Sequence, residues 1–171
     1  MKAITKKVYS FICEIYASHT ITNTGYIWKY RDKALNNPFY KFKYYRLINK
    51  CNSYIPLTTT FANMPTFPHG LYGIFISQGA KIGTDCVIFH QVTIGSNTLD
   101  DSKHFGSPTI GNNVFIGCGA KIIGNVTIGN NVRIGANCII TEDVQDNCTV
   151  VMDKPRIIVR QNAPDNTFVP Y

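Results

Sequence analysis

The sequence predicts a mainly β fold, a solenoid of stacked coils with three short strands per coil. Three observations predict it. Isoleucine recurs every six residues at Ile76, Ile82, Ile88 and Ile94, then at Ile110, Ile116, Ile122, Ile128, Ile134 and Ile140. A period of six fits neither an α-helix (about 3.6) nor a free amphipathic strand (about 2), but it fits stacked turns of short strands. Four positions after each isoleucine stands a small or β-branched residue: Ala80, Cys86, Val92, Thr98, Val114, Ala120, Val126, Val132, Cys138 and Val144. Glycine follows the isoleucine at Gly83, Gly95, Gly111, Gly117, Gly129 and Gly135, and Asn112-Asn113 and Asn130-Asn131 supply corners that tolerate left-handed dihedrals. An inward isoleucine with a compact corner partner lets three flat faces close into a narrow prism. Stacking the coils buries the isoleucine ladder, which no single coil can do.

Taken in chain order, residues 1–18 space Ile4, Val8, Ile12 and Ile15 at roughly helical intervals, and residues 39–50 read as a helix starting after Pro38. The stretch between them, with Asn36-Asn37-Pro38, reads as a turn. Residues 55–67 keep apolar residues six apart at Ile55, Phe61 and Phe67 without the glycines, a degenerate first coil of the kind that caps a solenoid. Regular coils follow from about 74 to 145. Residues 97–107 (NTLDDSKHFGS) break the phase, because Ile94 and Ile110 are 16 apart and 16 is not a multiple of six. A corner loop of about ten residues projects there. The division is therefore a basic, aromatic-rich helical segment (1–54), a β-solenoid (55–147) and a tail (148–171) that leaves the repeat.

Charge is uneven. Residues 1–50 carry ten Lys/Arg against Glu14 and Asp32, a net of +8, whereas residues 51–171 carry seven against eight, a net of −1. The basic, aromatic segment could lie near an anionic membrane or a glycan, or pack its aromatics on the solenoid. No nucleic-acid motif accompanies it, so that partner is not expected. No apolar run reaches the roughly 20 residues that cross a bilayer, and no secretory leader is evident, which makes the cytoplasm the expected location. The six Cys show no CxxC spacing, and Cys86 and Cys138 occupy compact inward slots, so they read as small hydrophobes rather than a disulfide framework.

The segments HGLYGI (His69–Ile74), GAKIG, IFHQVTIG, the His-bearing loop ending in PTIG, IGCGAKIIGNVTIG and IGANCIITEDV resemble the hexapeptide-repeat acyltransferases, and more narrowly the serine acetyltransferase-like branch. Many short members of that branch sit in capsule and surface-polysaccharide pathways. The resemblance covers residues 55 to about 159. It implies a left-handed parallel β-helix, a homotrimer and acetyl-CoA bound between neighbouring subunits as co-substrate, with no metal.

Acetyl transfer from a thioester to an alcohol needs a base for the hydroxyl proton and a donor for the developing oxyanion. Histidine suits the first task near neutral pH. His19 reads as a surface residue. The resemblance places His69 where the branch has its catalytic base and His104 where it has a second active-site histidine that contacts the acceptor. It leaves open what orients His69, because Pro68 and Tyr54 stand where serine acetyltransferases carry Asp. His90 occupies an outward position of its coil and reads as a lining residue of the cleft; Asp100 and Asp101 could meet acceptor hydroxyls. Cys118, Ala136 and Thr141, with Gly119 beside them, match positions along which pantetheine runs. Arg156 matches a tail arginine that meets the CoA phosphates, and Lys121 is a further candidate. The expected activity is O-acetylation of a sugar or sugar-linked hydroxyl. The alternatives are serine O-acetylation, a metal hydratase of the γ-carbonic-anhydrase type, for which the 21- and 14-residue spacings of His69, His90 and His104 are poor, and a non-catalytic trimeric scaffold.

Overall fold

The computed structural model of the chain describes residues 24–154, 156, 157, 159–161 and 167. The helix expected over residues 1–18, and His19, lie outside the described residues.

Among the described residues, two helices lead into the solenoid. Helix α1 spans Thr24–Ala34 and α2 spans Pro38–Lys50. The sequence reading treats the residues before Pro38 as a turn and misses α1. Its buried residues Ile27, Trp28, Tyr30 and Ala34 share a face with Arg31, a buried cation that blurs the apolar stripe. The turn is confined to the residues just before Pro38. There Asn37 caps α2 by accepting from the Phe39 N–H at 2.9 Å, and Pro38 holds the first helical position.

Twelve short strands follow: β1 (Thr60–Phe61), β2 (Phe75–Ile76), β3 (Lys81–Ile82), β4 (Val87–Ile88), β5 (Thr93–Gly95), β6 (Thr109–Ile110), β7 (Phe115–Ile116), β8 (Lys121–Ile123), β9 (Thr127–Ile128), β10 (Arg133–Ile134), β11 (Ile139–Ile140) and β12 (Thr149–Val150). They form three parallel four-stranded sheets, in the order β1-β3-β6-β9 (first face), β4-β7-β10-β12 (second face) and β2-β5-β8-β11 (third face). Each coil thus contributes one strand to each face in turn. Register stacks isoleucine on isoleucine, Ile82 against Ile110 and Ile110 against Ile128, Ile88 against Ile116, Ile94 against Ile122 and Ile122 against Ile140. All ten ladder isoleucines are buried. Burial contributes about 1.5–3 kcal/mol for each fully buried isoleucine of this ladder.

The expected degenerate first coil is present. Tyr54, Thr60 and Thr66 pair with Phe75, Lys81 and Val87, and Ile55 and Phe67 are buried. The helices close this open end. Trp28 packs edge-on against Phe61, Arg31 lies over both rings and donates to the Thr59 carbonyl, and the Tyr44 hydroxyl donates to the Ile55 carbonyl at 2.8 Å.

Two compact positions read from the sequence are reassigned. Thr98 is exposed in the projecting loop, and Pro108 takes the buried slot two residues before Ile110. Val144 occupies an isoleucine position, paired with Ile128, because the corner after Ile140 is shorter than the hexad allows. The tail also does not leave the repeat at residue 148: Thr149 and Val150 extend the second face against Arg133 and Ile134.

The expected asparagine corners form a ladder. Asp85, Asn113, Asn131 and Asn147 all have positive φ, and Asn113 donates to Asn131 and Asn131 to Asn147 through side-chain amides at 2.9 and 3.0 Å.

Candidate active site

Register converts sequence spacing into position. Phe75 pairs with Thr93, 18 residues on, which is the undisturbed coil. Tyr54 pairs with Phe75, 21 residues on, so three extra residues enter between Phe67 and Ile76. Thr93 pairs with Lys121, 28 residues on, so ten enter between β5 and β6. The first insertion carries His69 and the second carries His104.

His69, His90, Cys118 and Ala136 each stand three residues after a residue of the aligned row Thr66, Val87, Phe115 and Arg133 on the second face. His90, Cys118 and Ala136 form one column down the corner between the second and third faces. The coil above puts Tyr72 in that column, because the Gln91 N–H donates to the Tyr72 carbonyl at 2.9 Å and Gly73 stacks on Gln91, so His69 stands beside it in the insertion. The residue after each column position has positive φ: Gly73 (66°), Gln91 (60°), Gly119 (71°) and Asn137 (58°). That left-handed step turns the chain onto the third face. Backbone bonds tie the turns together, with the Gly119 N–H donating to the His90 carbonyl at 3.0 Å and the Asn137 N–H to the Cys118 carbonyl at 2.8 Å.

At the top of the column the two histidines meet. Nδ1 of His69 lies 2.9 Å from Nδ1 of His90, with ring centroids 4.9 Å apart. His69 also stands edge-on to Phe89 at 5.1 Å, and Phe89 packs against Phe115. His69 is exposed and His90 is half-buried. An open cleft of about 470 Å³ adjoins His90 along the third face, lined by Tyr72, Phe75, Gln91, Thr93 and Lys121 among others. The Lys121 ammonium donates to the Gln91 and Gly119 carbonyls, both at 2.8 Å, which places a cation at the cleft. Tyr72, Phe75, Gln91 and Thr93 are absent from the residues singled out in the sequence. Their signal is positional, since Phe75, Thr93 and Lys121 each precede a ladder isoleucine and so face outward on the third face.

His104 lies elsewhere. Its loop leaves the far edge of the third face, closed at its base by the antiparallel bridge between Asn97 and Gly106. The Asn125 N–H donates to the His104 carbonyl at 2.8 Å, and Gly124 (φ 94°) passes so close that a Cβ there would stand 2.8 Å from that oxygen. Thr141 shares this far edge, two residues after Ile139, whose row runs through Lys121, Thr93 and Phe75. One chain thus gathers His69, His90, Cys118 and Ala136 on one edge of the third face and His104 and Thr141 on the other. Ala136 and Thr141 are exposed, Cys118 is half-buried, and Asp100, Asp101 and Arg156 are exposed. Among the described residues, no three His, Cys, Asp or Glu side chains converge as a metal site, and no helix is long and apolar enough to cross a membrane.

Comparison with known proteins bears on the family and the fold. Residues 107–142 match the family Bacterial transferase hexapeptide (six repeats). The chain is 32% identical over 151 residues to WcaB of Escherichia coli K12, provisionally named a colanic acid biosynthesis acetyltransferase; the match covers 86% of this chain and 90% of that protein. It is 44% identical over 95 residues to the serine acetyltransferase of Synechococcus elongatus, covering 56% of this chain and 38% of that one. The chain spans between 38% and 52% of the length of the serine acetyltransferases of Synechococcus elongatus, Helicobacter pylori and Mycobacterium tuberculosis that it matches. Among solved structures, serine acetyltransferase isoform 3 of Entamoeba histolytica in complex with cysteine superposes with a TM-score of 0.59 at 36% identity, covering 67% of this chain and 40% of that one. With its repeat matched and a relative covered over 90% of its length, the chain belongs to the hexapeptide-repeat transferases, in the serine acetyltransferase-like branch of left-handed parallel β-helices.

Proposed function

We propose that the protein transfers an acetyl group from acetyl-CoA to a hydroxyl of a sugar or sugar-linked acceptor in surface-polysaccharide biosynthesis, with His69 as general base. The observation that carries the chemistry is an exposed histidine whose Nδ1 is engaged by a neighbour, leaving Nε2 free for an incoming hydroxyl. The acceptor oxygen attacks the thioester carbonyl carbon as its proton passes to His69 Nε2. The tetrahedral intermediate then collapses, the C–S bond breaks, and the CoA thiolate recovers that proton.

The two edges of the third face support a shared site. In a homotrimer, the His69 edge of one chain would face the His104 edge of the next, with His104 contacting the acceptor. Cys118 and Ala136 from one side and Thr141 from the other would border the pantetheine, and Arg156 would meet the phosphates. Coverage of 90% of WcaB, against 38% of the Synechococcus serine acetyltransferase, favours the sugar-linked acceptor. Serine O-acetylation is the second reading, favoured by the higher identity over the matched repeats and by the solved neighbours. Thiol release from acetyl-CoA, followed with serine, free sugars and nucleotide sugars in parallel, tests both. Turnover with a sugar class and none with serine is expected; turnover with serine alone would replace the first reading by the second.

A further inference from the structure

We propose that His90 is the positioning residue of His69, holding it in the one tautomer that can act as a base. The inference rests on the acetyl-transfer reading for its consequence in catalysis, but the histidine pair itself can be tested without it.

Two neutral imidazoles joined through their Nδ1 atoms share a single proton between them. If His69 Nδ1–H donates to His90 Nδ1, the His69 Nε2 carries a lone pair and can accept a proton. If the bond runs the other way, His69 Nε2 is protonated and cannot. Among the described residues, the His69 ring makes no other hydrogen bond, so His90 is what selects between these states. The two rings do not meet by chance of rotamer. His69 stands in the three-residue insertion and is followed by the left-handed Gly70, while His90 sits on the corner column below it and is followed by the left-handed Gln91, on which Gly73 of the upper coil stacks. Phe89, wedged between His69 and Phe115, restrains the His69 ring from a second side.

The consequence for the reaction is specific. When His69 Nε2 takes the acceptor proton, the ring becomes a cation whose Nδ1–H already points at a neutral acceptor. His90 thereby stabilises the charge that develops, as a carboxylate or carbonyl does for a histidine elsewhere. No bond beyond the shared hydrogen bond is made or broken at His90, and it need not touch either substrate.

The test is a set of three variants, His90→Phe, His90→Asn and His90→Asp, read in two ways. Imidazole 15N chemical shifts of the substrate-free protein report tautomers directly. The wild type should show His69 protonated at Nδ1 and bare at Nε2. His90→Phe should release that preference, while Asn and Asp, whose side-chain oxygens accept from Nδ1–H, should keep it. In turnover, His90→Phe should lower kcat by about 10- to 100-fold with KM for both substrates within about twofold, and Asn or Asp should recover most of the loss. A His69 tautomer bare at Nδ1, or one unchanged in His90→Phe, would overturn the proposal. So would a loss of turnover that neither Asn nor Asp rescues, because His90 would then be the base itself. Wild-type protein inert toward every acceptor would count against the acetyl-transfer reading alone, since the tautomer measurement would still decide the pair.

Discussion

The two edges of the third face start from the same hexad and end with different contents. At the leading edge, a three-residue insertion carries His69 out beside the corner, where three following coils supply His90, Cys118 and Ala136 in turn beneath it. At the trailing edge, a ten-residue insertion carries His104 out on a loop whose base is pinned to Gly124 and Asn125. The strands between them, Phe75–Ile76, Thr93–Gly95, Lys121–Ile123 and Ile139–Ile140, are common to both edges and keep them apart. The difference teaches that the ladder supplies distance and rigidity, while the two histidines proposed for the chemistry, His69 and His104, are carried where the count is broken. Within one chain the edges stay apart, and the proposed homotrimer would bring the edges of neighbouring copies together.

The largest effect should come from the leading edge. His69→Ala removes the proposed base and should lower turnover by roughly 10²-fold or more, measured as thiol release under saturating acetyl-CoA. Near-wild-type turnover would move the chemistry away from this edge. The face between should respond in stability instead. Ile122→Ala opens a cavity at a fully buried layer and should cost about 2–5 kcal/mol in chemical denaturation. A negligible cost would mean the ladder does not hold the edges in place.

The trailing edge is probed by Gly124→Val. With φ at 94° and the His104 carbonyl 2.8 Å from where a Cβ would stand, the variant should shift the loop and cost about 1–3 kcal/mol of strain. Turnover should fall while the His69 tautomer stays as in the wild type. A change at His69 would mean the edges are coupled within one chain.

The smallest effect lies outside both edges. Burial pushes the Tyr44 hydroxyl well above its ordinary pKa, and it donates to the Ile55 carbonyl. The neutral form is favoured in the folded state. Its contribution is therefore complete below about pH 10, the unfolded value, and is lost as pH rises beyond it. Tyr44→Phe should cost about 1 kcal/mol at neutral pH and flatten the alkaline limb of a stability profile. An unchanged limb would mean that another group governs it.

Much of the fold was legible because the period of six is long, repeated and carried by one residue type. Ile76 to Ile140 predicted every buried layer of the regular coils. Thr98 and Val144 were misplaced for one reason: a count along the chain assumes every corner has the same length, and only strand register shows which corners are longer or shorter. Helix α1 was missed because Arg31, buried under Trp28 and Phe61 by ring contacts, reads as a polar interruption. In the candidate site, the histidines were visible as residues. Their pairing was not, since His69 and His90 are 21 apart and only the extra three residues of that coil carry His69 against His90. The split of Cys118 and Ala136 from Thr141 was hidden in the same way.

The measurement that bears most directly on a site divided between copies is subunit complementation. His69→Ala and His104→Ala proteins, each assayed alone, should be nearly inactive. Unfolded together and refolded as mixed assemblies, they should regain up to roughly a quarter of wild-type turnover, because some interfaces then pair an intact His69 edge with an intact His104 edge. Mixed assemblies with no more activity than the separate variants would contradict a site shared across the two edges.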